Sequence, residues 1–377
     1  MNATRIERVT THPLRAVLPT PQKTSQAVYN AIEIVVVEID TAGGIVGWGE
    51  CLARRGARAY ADFIDTVLAP VLVGQDALDR RILWRAMRAP LSGRTGGMQI
   101  EAIAGLDIAL WDIAGKHAGL PIVKLLGGIG RLRVAAYASS INWYDDATVE
   151  AEVTAALRAG FREIKVKIGK PVAQAIARIR QVRRLAPDTA LYVDANSAYD
   201  VSEALTVGRV LADCGYDFFE EPIRPEDREG YRRLAQHLPV RLAAGESDFT
   251  ARDAVSMLQD RSLGLIQPDV ARAGGITETW RIAELAAAFD TAYAPHVGWS
   301  GALCVAASLQ LASAAETFRT FECMVYDNPL RQSLTTVAVG EARDLSDGTV
   351  AVPQGPGLGV DVDRQALRAY TIARAAP

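Results

Sequence analysis

The strongest constraint on how this chain folds is the stretch from Phe161 to Glu246, where four short apolar runs each end on charged side chains. Phe161-Arg-Glu-Ile leads into Lys165-Val166-Lys167, Ala-Leu-Tyr-Val into Asp194-Ala195-Asn196, Tyr-Asp-Phe-Phe into Glu220-Glu221-Pro222, and Val-Arg-Leu-Ala-Ala into Gly245-Glu246. A buried parallel strand reads as a continuous apolar run, so a carboxylate at its C-terminal end lies where such folds bind ligands. Asp194, Glu220 and Glu246 follow one another at 26-residue intervals. One acid alone in such a place can simply cap the next helix. Three in register, on the tips of successive strands, converge on a single point. Hard oxygen ligands with coordination positions left for substrate suit Mg²⁺.

The rest of the chain extends the same alternation. Strand candidates lie at 134–138, 162–167, 190–194, 217–220, 240–245, 263–266, 291–295 and 318–322, with amphipathic helical patterns between them, such as Val149, Val153, Leu157 and Ile176, Ile179, Val182, Leu185. Eight strand-plus-helix units of roughly 25 to 30 residues argue for a closed parallel barrel. An open doubly wound sheet would carry a Gly-rich nucleotide turn, and Gly355-Pro-Gly-Leu-Gly is far from any strand-to-helix junction. Before the barrel, residues 4–17, 31–39 and 45–50 read as strands, the last two joined around Gly43-Gly44 as an antiparallel hairpin. Residues 18–30, polar with two prolines, read as a loop; helical patterns follow near 57–70, 77–88 and 99–117. The expected organisation is an α+β unit over 1–125, an α/β barrel over 126–325, and a segment over 326–377 that packs back on the first unit.

Lys165 and Lys167 are two apart on one strand and share a face. Two ammonium groups in one pocket disfavour each other's charge, so at least one pKa is expected to fall, giving a general base or, alternatively, a Schiff-base lysine. Asp269 in Ile-Gln-Pro-Asp-Val and His296 in Ala-Pro-His-Val-Gly end the sixth and seventh strands, where the carboxylate can orient the ring and raise its basicity. His12, His117 and His237 have no such setting. Lys167 and His296 would then face each other across the metal. Glu322, ending the eighth strand, is expected either to donate a hydrogen bond to a developing anion as the protonated acid, or to pack.

Composition limits the partners. The formal net charge is −3 with no basic run, so nucleic acid finds no electrostatic footprint and small molecules are the expected ligands. Cys51, Cys214, Cys304 and Cys323 lie far apart and form no Cys-x-x-Cys pair, which points to reduced thiols in a cytoplasm rather than a disulfide framework or zinc site. The N-terminus lacks an apolar targeting segment, and no 18-residue uncharged run occurs, so neither secretion nor membrane insertion is expected.

Taken in order, Lys-x-Lys, Asp-Ala-Asn, Phe-Glu-Glu-Pro, Gly-Glu, Gln-Pro-Asp and Pro-His resemble the mandelate racemase branch of the enolase superfamily, as do Leu106-Asp-Ile-Ala-Leu-Trp-Asp-Ile and Leu125-Leu-Gly-Gly. The resemblance covers nearly the whole chain. It implies a (β/α)7β modified TIM barrel with an N-terminal α+β capping domain, and Mg²⁺ on Asp194, Glu220 and Glu246. It further implies Lys167 as one base with Lys165 beside it at the substrate carboxylate, the His296–Asp269 dyad as the other, and Glu322 close by. Asp327-Asn-Pro-Leu-Arg with Gly355-Pro-Gly-Leu-Gly also resembles enzymes that open galactarolactone by β-elimination. The implied activity is Mg²⁺-dependent removal of an α-proton through an ene-diolate, then β-elimination on a sugar acid or lactone by a dehydratase or cycloisomerase. An α-hydroxy-acid racemase or epimerase is the alternative, and a non-catalytic binding or scaffold relative the distant one. The family implies homo-oligomers, dimers or octamers. Specificity is expected from residues 18–30 and from the turn after Glu50, with Arg54, Arg55 and Arg58.

Overall fold

In the computed structural model, residues 2–373 are described apart from 92, 94, 95, 129, 143 and 144. The chain opens with an antiparallel sheet of β1 (Ile6–Lys23), β2 (Val28–Thr41) and β3 (Val46–Cys51), in that spatial order. Against β3 lies the helix Met98–Ala118, apolar on nearly every side because it is sandwiched between the sheet and the barrel. Gly49 permits that contact: a Cβ there would stand 1.9 Å from the Gly105 carbonyl oxygen. Only glycine lets strand and helix backbones approach so closely.

Eight parallel strands follow: β4 (Arg133–Ile141), β5 (Glu163–Lys167), β6 (Ala190–Asp194), β7 (Phe218–Glu220), β8 (Arg241–Ala244), β9 (Leu265–Ile266), β10 (Ala292–Tyr293) and β11 (Phe321–Met324). Every expected barrel strand is present, several of them shorter than their apolar run. The ladder runs β10-β9-β8-β7-β6-β5-β4-β11, and a bridge between Tyr293 and Phe318 joins its two ends. Helices follow the first seven strands, so the molecule is a (β/α)7β modified TIM barrel with an N-terminal α+β cap. Local chemistry starts several of these helices: Asp145, Asp200 and Asp227 each accept a first-turn amide, and Asp200 forms a full capping box with Glu203.

One expectation is corrected. Residues 18–30 are not a loop: after a register shift beyond Val17, Gln22 pairs with Tyr29 and Lys23 with Val28, so both strands run on and only 24–27 turn. Pro19 and Pro21 fall in the shift, where the ladder does not call on their missing N–H. Near the C-terminus Arg364 pairs with Glu38 and Ile372 N donates to Pro13 O, and β12 (Thr349–Ala351) adds antiparallel to β4.

Cap and barrel are held together by buried acids. Glu50 accepts from Gly301 N (2.6 Å) and Cys304 N (3.1 Å), at the start of helix Ala302–Ala314. Asp107 accepts from Thr277 N (2.9 Å) and Thr277 Oγ1 (2.6 Å), at the start of helix Ile276–Ala288. Burial pushes both carboxyls up to about 7, against the pull of those hydrogen bonds.

Candidate active site

Strand register assembles the site. Lys167 on β5 pairs with Asp194 on β6, and Asp194 with Glu220 on β7; partners in one row of a parallel sheet share a face, here the barrel interior. Two residues earlier, Lys165 pairs with Tyr192 and Tyr192 with Phe218. The Tyr192 and Phe218 rings stack at 4.1 Å, and with Tyr137, Ala243, Leu265 and Ala294 they close the barrel beneath the site as a dry floor. Glu246 follows β8 after Gly245, whose φ of 136° and close packing on the Gln267 backbone suit glycine alone. Asp269 and His296, past the ends of β9 and β10, face each other as a parallel bridge.

Carboxylate oxygens of Asp194, Glu220 and Glu246, all buried, lie within 4.8 Å of one another. Burial foremost, then Asp194, Glu246 and Glu322, push the Glu220 carboxyl up to about 8 despite the Lys165 ammonium. Glu246 Oε2 is buried and stands 3.1 Å from His296 Nε2 without hydrogen-bond geometry. Three crowded acids with an orphaned oxygen among them fit a divalent cation.

Both lysines lie at the cluster. Lys165 Nζ donates to Glu220 Oε1 (2.9 Å) and Oε2 (2.7 Å), and is 2.9 Å from Glu322 Oε1. Lys167 Nζ bonds Asp194 Oδ2 and donates to Asn196 Oδ1 at 3.0 Å. The expected fall in lysine pKa is reversed: burial pulls both ammonium groups down, but Glu220 and Glu322 around Lys165, and Asp194 around Lys167, overcome it. Carboxylates outnumber the lysines in this cup. Their mutual repulsion is real, and for Lys167 it ranks behind burial and Asp194.

On the other side, His296 Nδ1 is 2.7 Å from Asp269 Oδ2, while Asp269 Oδ1 accepts from Ala271 N at 2.8 Å. Burial pulls the imidazolium down, but Glu246, Glu322 and Asp269 raise it to about 9. Burial likewise pushes the Glu246 carboxyl up, and His296, Lys167, Arg54 and Lys165 bring it down to about 2. Glu322 does not fit the protonated donor expected of it: against burial, Lys165 and His296 hold it well below the usual carboxylate range. It accepts instead from Val297 N (2.9 Å) and Ser139 Oγ (2.6 Å), tying the His296 loop to β4.

Every site residue expected from sequence is thus in one cup, with Lys167 against Asp194 and His296 against Glu246. Of Arg54, Arg55 and Arg58 only the first reaches it, with Nη2 4.0 Å from Glu246 Oε1; Arg55 lies over the Tyr29 ring and Arg58 is exposed. Ser25 Oγ (2.6 Å) and Gln26 Nε2 (2.8 Å) donate to Asn196 O, so the hairpin tip rests on the loop that carries Asn196. Sequence reasoning missed Gln267, whose Nε2 donates to Glu220 Oε2 at 2.8 Å, and Ser139. A polar residue ending the β9 run was a usable signal for Gln267. Ser139, inside a nine-residue strand, gave none.

Gly298 abuts the ring: a Cβ there would be 2.6 Å from His296 Nε2. Gly298→Ala is therefore expected to lower kcat by about tenfold or more by displacing the imidazole, with cation affinity and melting temperature nearly unchanged. Kinetics beside a Mg²⁺ titration checks this, and wild-type turnover would show that the ring is not displaced.

Residues 148–366 match the family described as enolase C-terminal domain-like, and residues 5–127 match the mandelate racemase / muconate lactonizing enzyme N-terminal domain. The chain is 35% identical to a D-galactarolactone cycloisomerase of Agrobacterium fabrum, over 97% of this chain and 98% of that protein. It is also 35% identical to an arabinonate dehydratase of Saccharolobus solfataricus, over 88% of each. Among solved structures, a racemase from Streptomyces coelicolor with bound magnesium superposes with a TM-score of 0.88 at 30% identity, covering 97% of this chain and 100% of that one. With both halves of the chain matched and the strand-tip acids assembled in one cup, the protein belongs to the mandelate racemase / muconate lactonizing enzyme family of the enolase superfamily.

Proposed function

We propose that the chain is a Mg²⁺-dependent lyase or isomerase that removes the α-proton of a carboxylate substrate and expels a β-oxygen substituent from a sugar acid or its lactone, as an acid-sugar dehydratase or cycloisomerase. The observation that carries this reading is the buried triad of Asp194, Glu220 and Glu246, with Lys167 against one end and His296, backed by Asp269, against the other. The names of the cycloisomerase and dehydratase relatives support the substrate class, and the magnesium in the Streptomyces structure supports the cation. Held by the triad, Mg²⁺ would bind the substrate carboxylate and offset the charge that develops on it as the α-proton leaves.

The chain's own groups do the rest. Lys167 and His296 approach from different sides, so one takes the α-proton and the other hands a proton to the departing oxygen. Asp269 fixes the His296 tautomer with the proton on Nδ1, leaving Nε2 to exchange protons with substrate. Lys165, pinned between Glu220 and Glu322, supplies fixed positive charge for the substrate carboxylate. The same two-sided placement favours racemisation as the second reading, in which the opposite group returns a proton to the α-carbon.

A panel of sugar acids and lactones with Mg²⁺ in D₂O, followed by proton NMR, tests both. A 3-deoxy-2-keto product is the result expected. Solvent deuterium at the α-carbon with every oxygen substituent retained would replace elimination by racemisation. Bound Mg²⁺ with no reaction across the panel would sink both and leave a binding or scaffold relative. We also propose a cytoplasmic homo-oligomer, dimer or octamer, divided into cap (1–125), barrel (126–325) and C-terminal segment (326–377). Four free cysteines fit the compartment, and no helix among the described residues is long and apolar enough to cross a membrane.

A further inference from the structure

The cap helix Arg80–Arg88 carries Arg81, Arg85 and Arg88 at i, i+4 and i+7, on one side. Across a cavity of about 260 Å³ they meet Arg252, in the first turn of helix Thr250–Gln259, and Arg281, on helix Ile276–Ala288. Trp84 forms part of the wall, buried and fixed by its indole N–H donating to Gly274 O at 2.8 Å. Among the lining residues the one acid is Glu278, and it is already engaged, ion-paired to Arg281 and accepting from Ala251 N at 3.1 Å. Arg81, Arg85 and Arg252 have no ion-pair partner among the described residues. Elsewhere on this surface arginines are paired, Arg8 with Asp40, Arg343 with Glu341 and Arg364 with Glu38.

Like charges one helical turn apart destabilise a helix, and here Arg81 and Arg85 also face Arg252 across a crevice whose one lining acid is taken by Arg281. A counter-charge that fits the crevice relieves this, and planar guanidinium forks are the groups best shaped to grip carboxylates and phosphates in pairs. The space takes roughly nine water molecules, which suits a small molecule. A long polyanion is a poor fit for a chain whose overall charge is −3. We propose that this cavity, on the seam between cap and barrel and outside the catalytic cup, binds one small, multiply charged anion, a phosphate ester or a di- or tricarboxylate. The assignment is independent of the reaction the cup performs. Arg252 lies six residues after Glu246, so an anion here also pins the segment that follows β8.

Titration with inorganic phosphate and, separately, with citrate at physiological NaCl, read by calorimetry and tryptophan fluorescence, tests the site. Saturable binding of one anion per chain is expected, weakened about tenfold or more by the double change Arg81→Ala and Arg252→Ala, with circular dichroism and basal turnover unchanged. Response to phosphate assigns the phosphate-ester class, and response to citrate alone assigns the polycarboxylates. Absence of saturable binding by either probe overturns the proposal, as does equal binding by the double variant. Loss of oligomeric mass in that variant, by light scattering and without any anion effect, would make the patch a subunit contact and likewise overturn it.

Discussion

Lys167→Ala and His296→Asn are each expected to lower kcat/KM by about 10³-fold or more, since each removes a proton-transfer group from a preorganised site. Both should fold, because the barrel floor of Tyr137, Tyr192 and Phe218 and the wall helices are untouched. The variants separate by isotope exchange in D₂O. With a substrate of one configuration, the variant that keeps the group facing the α-proton still incorporates deuterium at that carbon although elimination stops; the other incorporates none. Full turnover in either variant, or exchange lost in both, would remove the assignment of one proton-transfer group to each side.

Stripping the divalent cation is the second change with a large expected effect, and its size depends on pH. Burial raises the Glu220 carboxyl from 4.5 to about 8, so its stabilising contribution is full below about pH 4.5 and is lost as pH rises through 8. The carboxylates around His296 raise its imidazolium from 6.5, against burial, to about 9; that contribution is full below 6.5 and lost as pH rises through 9. Glu246, brought down to about 2 although burial opposes it, loses its contribution only as pH falls toward 2, outside this window. Glu50 and Asp107 titrate alike with and without the cation, so the specific expectation is that the stability gap between Mg²⁺-loaded and chelator-treated protein widens from about pH 5 to 9, by on the order of a few kcal/mol. Thermal melts across that range, with and without chelator, give the measurement. In Asp194→Asn the Mg²⁺-dependent gap should close and turnover should vanish. A gap between loaded and chelator-treated melting temperatures that is flat in pH would show that the three acids do not repel as their crowding implies.

Much of the architecture was legible because this fold writes itself locally. A strand buried on both faces must be an apolar run, and catalytic groups sit where the run stops, so Asp194, Glu220, Glu246, Asp269 and His296 could be placed by position alone. Parity gave Lys165 and Lys167 a common face. What one-dimensional reading could not supply was the balance of charge once the tips met. The two lysines suggested mutual repulsion, yet the protonation of each depends on how many carboxylates lie within a few ångströms, and those come from four other strands. The protonated option for Glu322 fails for the same reason, whereas its structural option does not. The hairpin at 18–30 reads as a loop in the sequence because prolines and polar residues usually mark one, whereas Pro19 and Pro21 occupy a register shift. The segment Thr349–Ala351 is too short to announce itself as a barrel strand.

The acids that join cap to barrel restrict how this enzyme can open. Glu50 and Asp107 are each bonded to backbone amides of consecutive wall helices, so swinging the whole cap aside would leave two helix beginnings and two buried carboxyls without partners. The four-residue turn at 24–27 is held separately, by the two hydrogen bonds that Ser25 and Gln26 donate to Asn196 O on the loop after β6. The cap is thus a fixed lintel, anchored through its buried acids to two wall helices and resting by its hairpin tip on the barrel mouth.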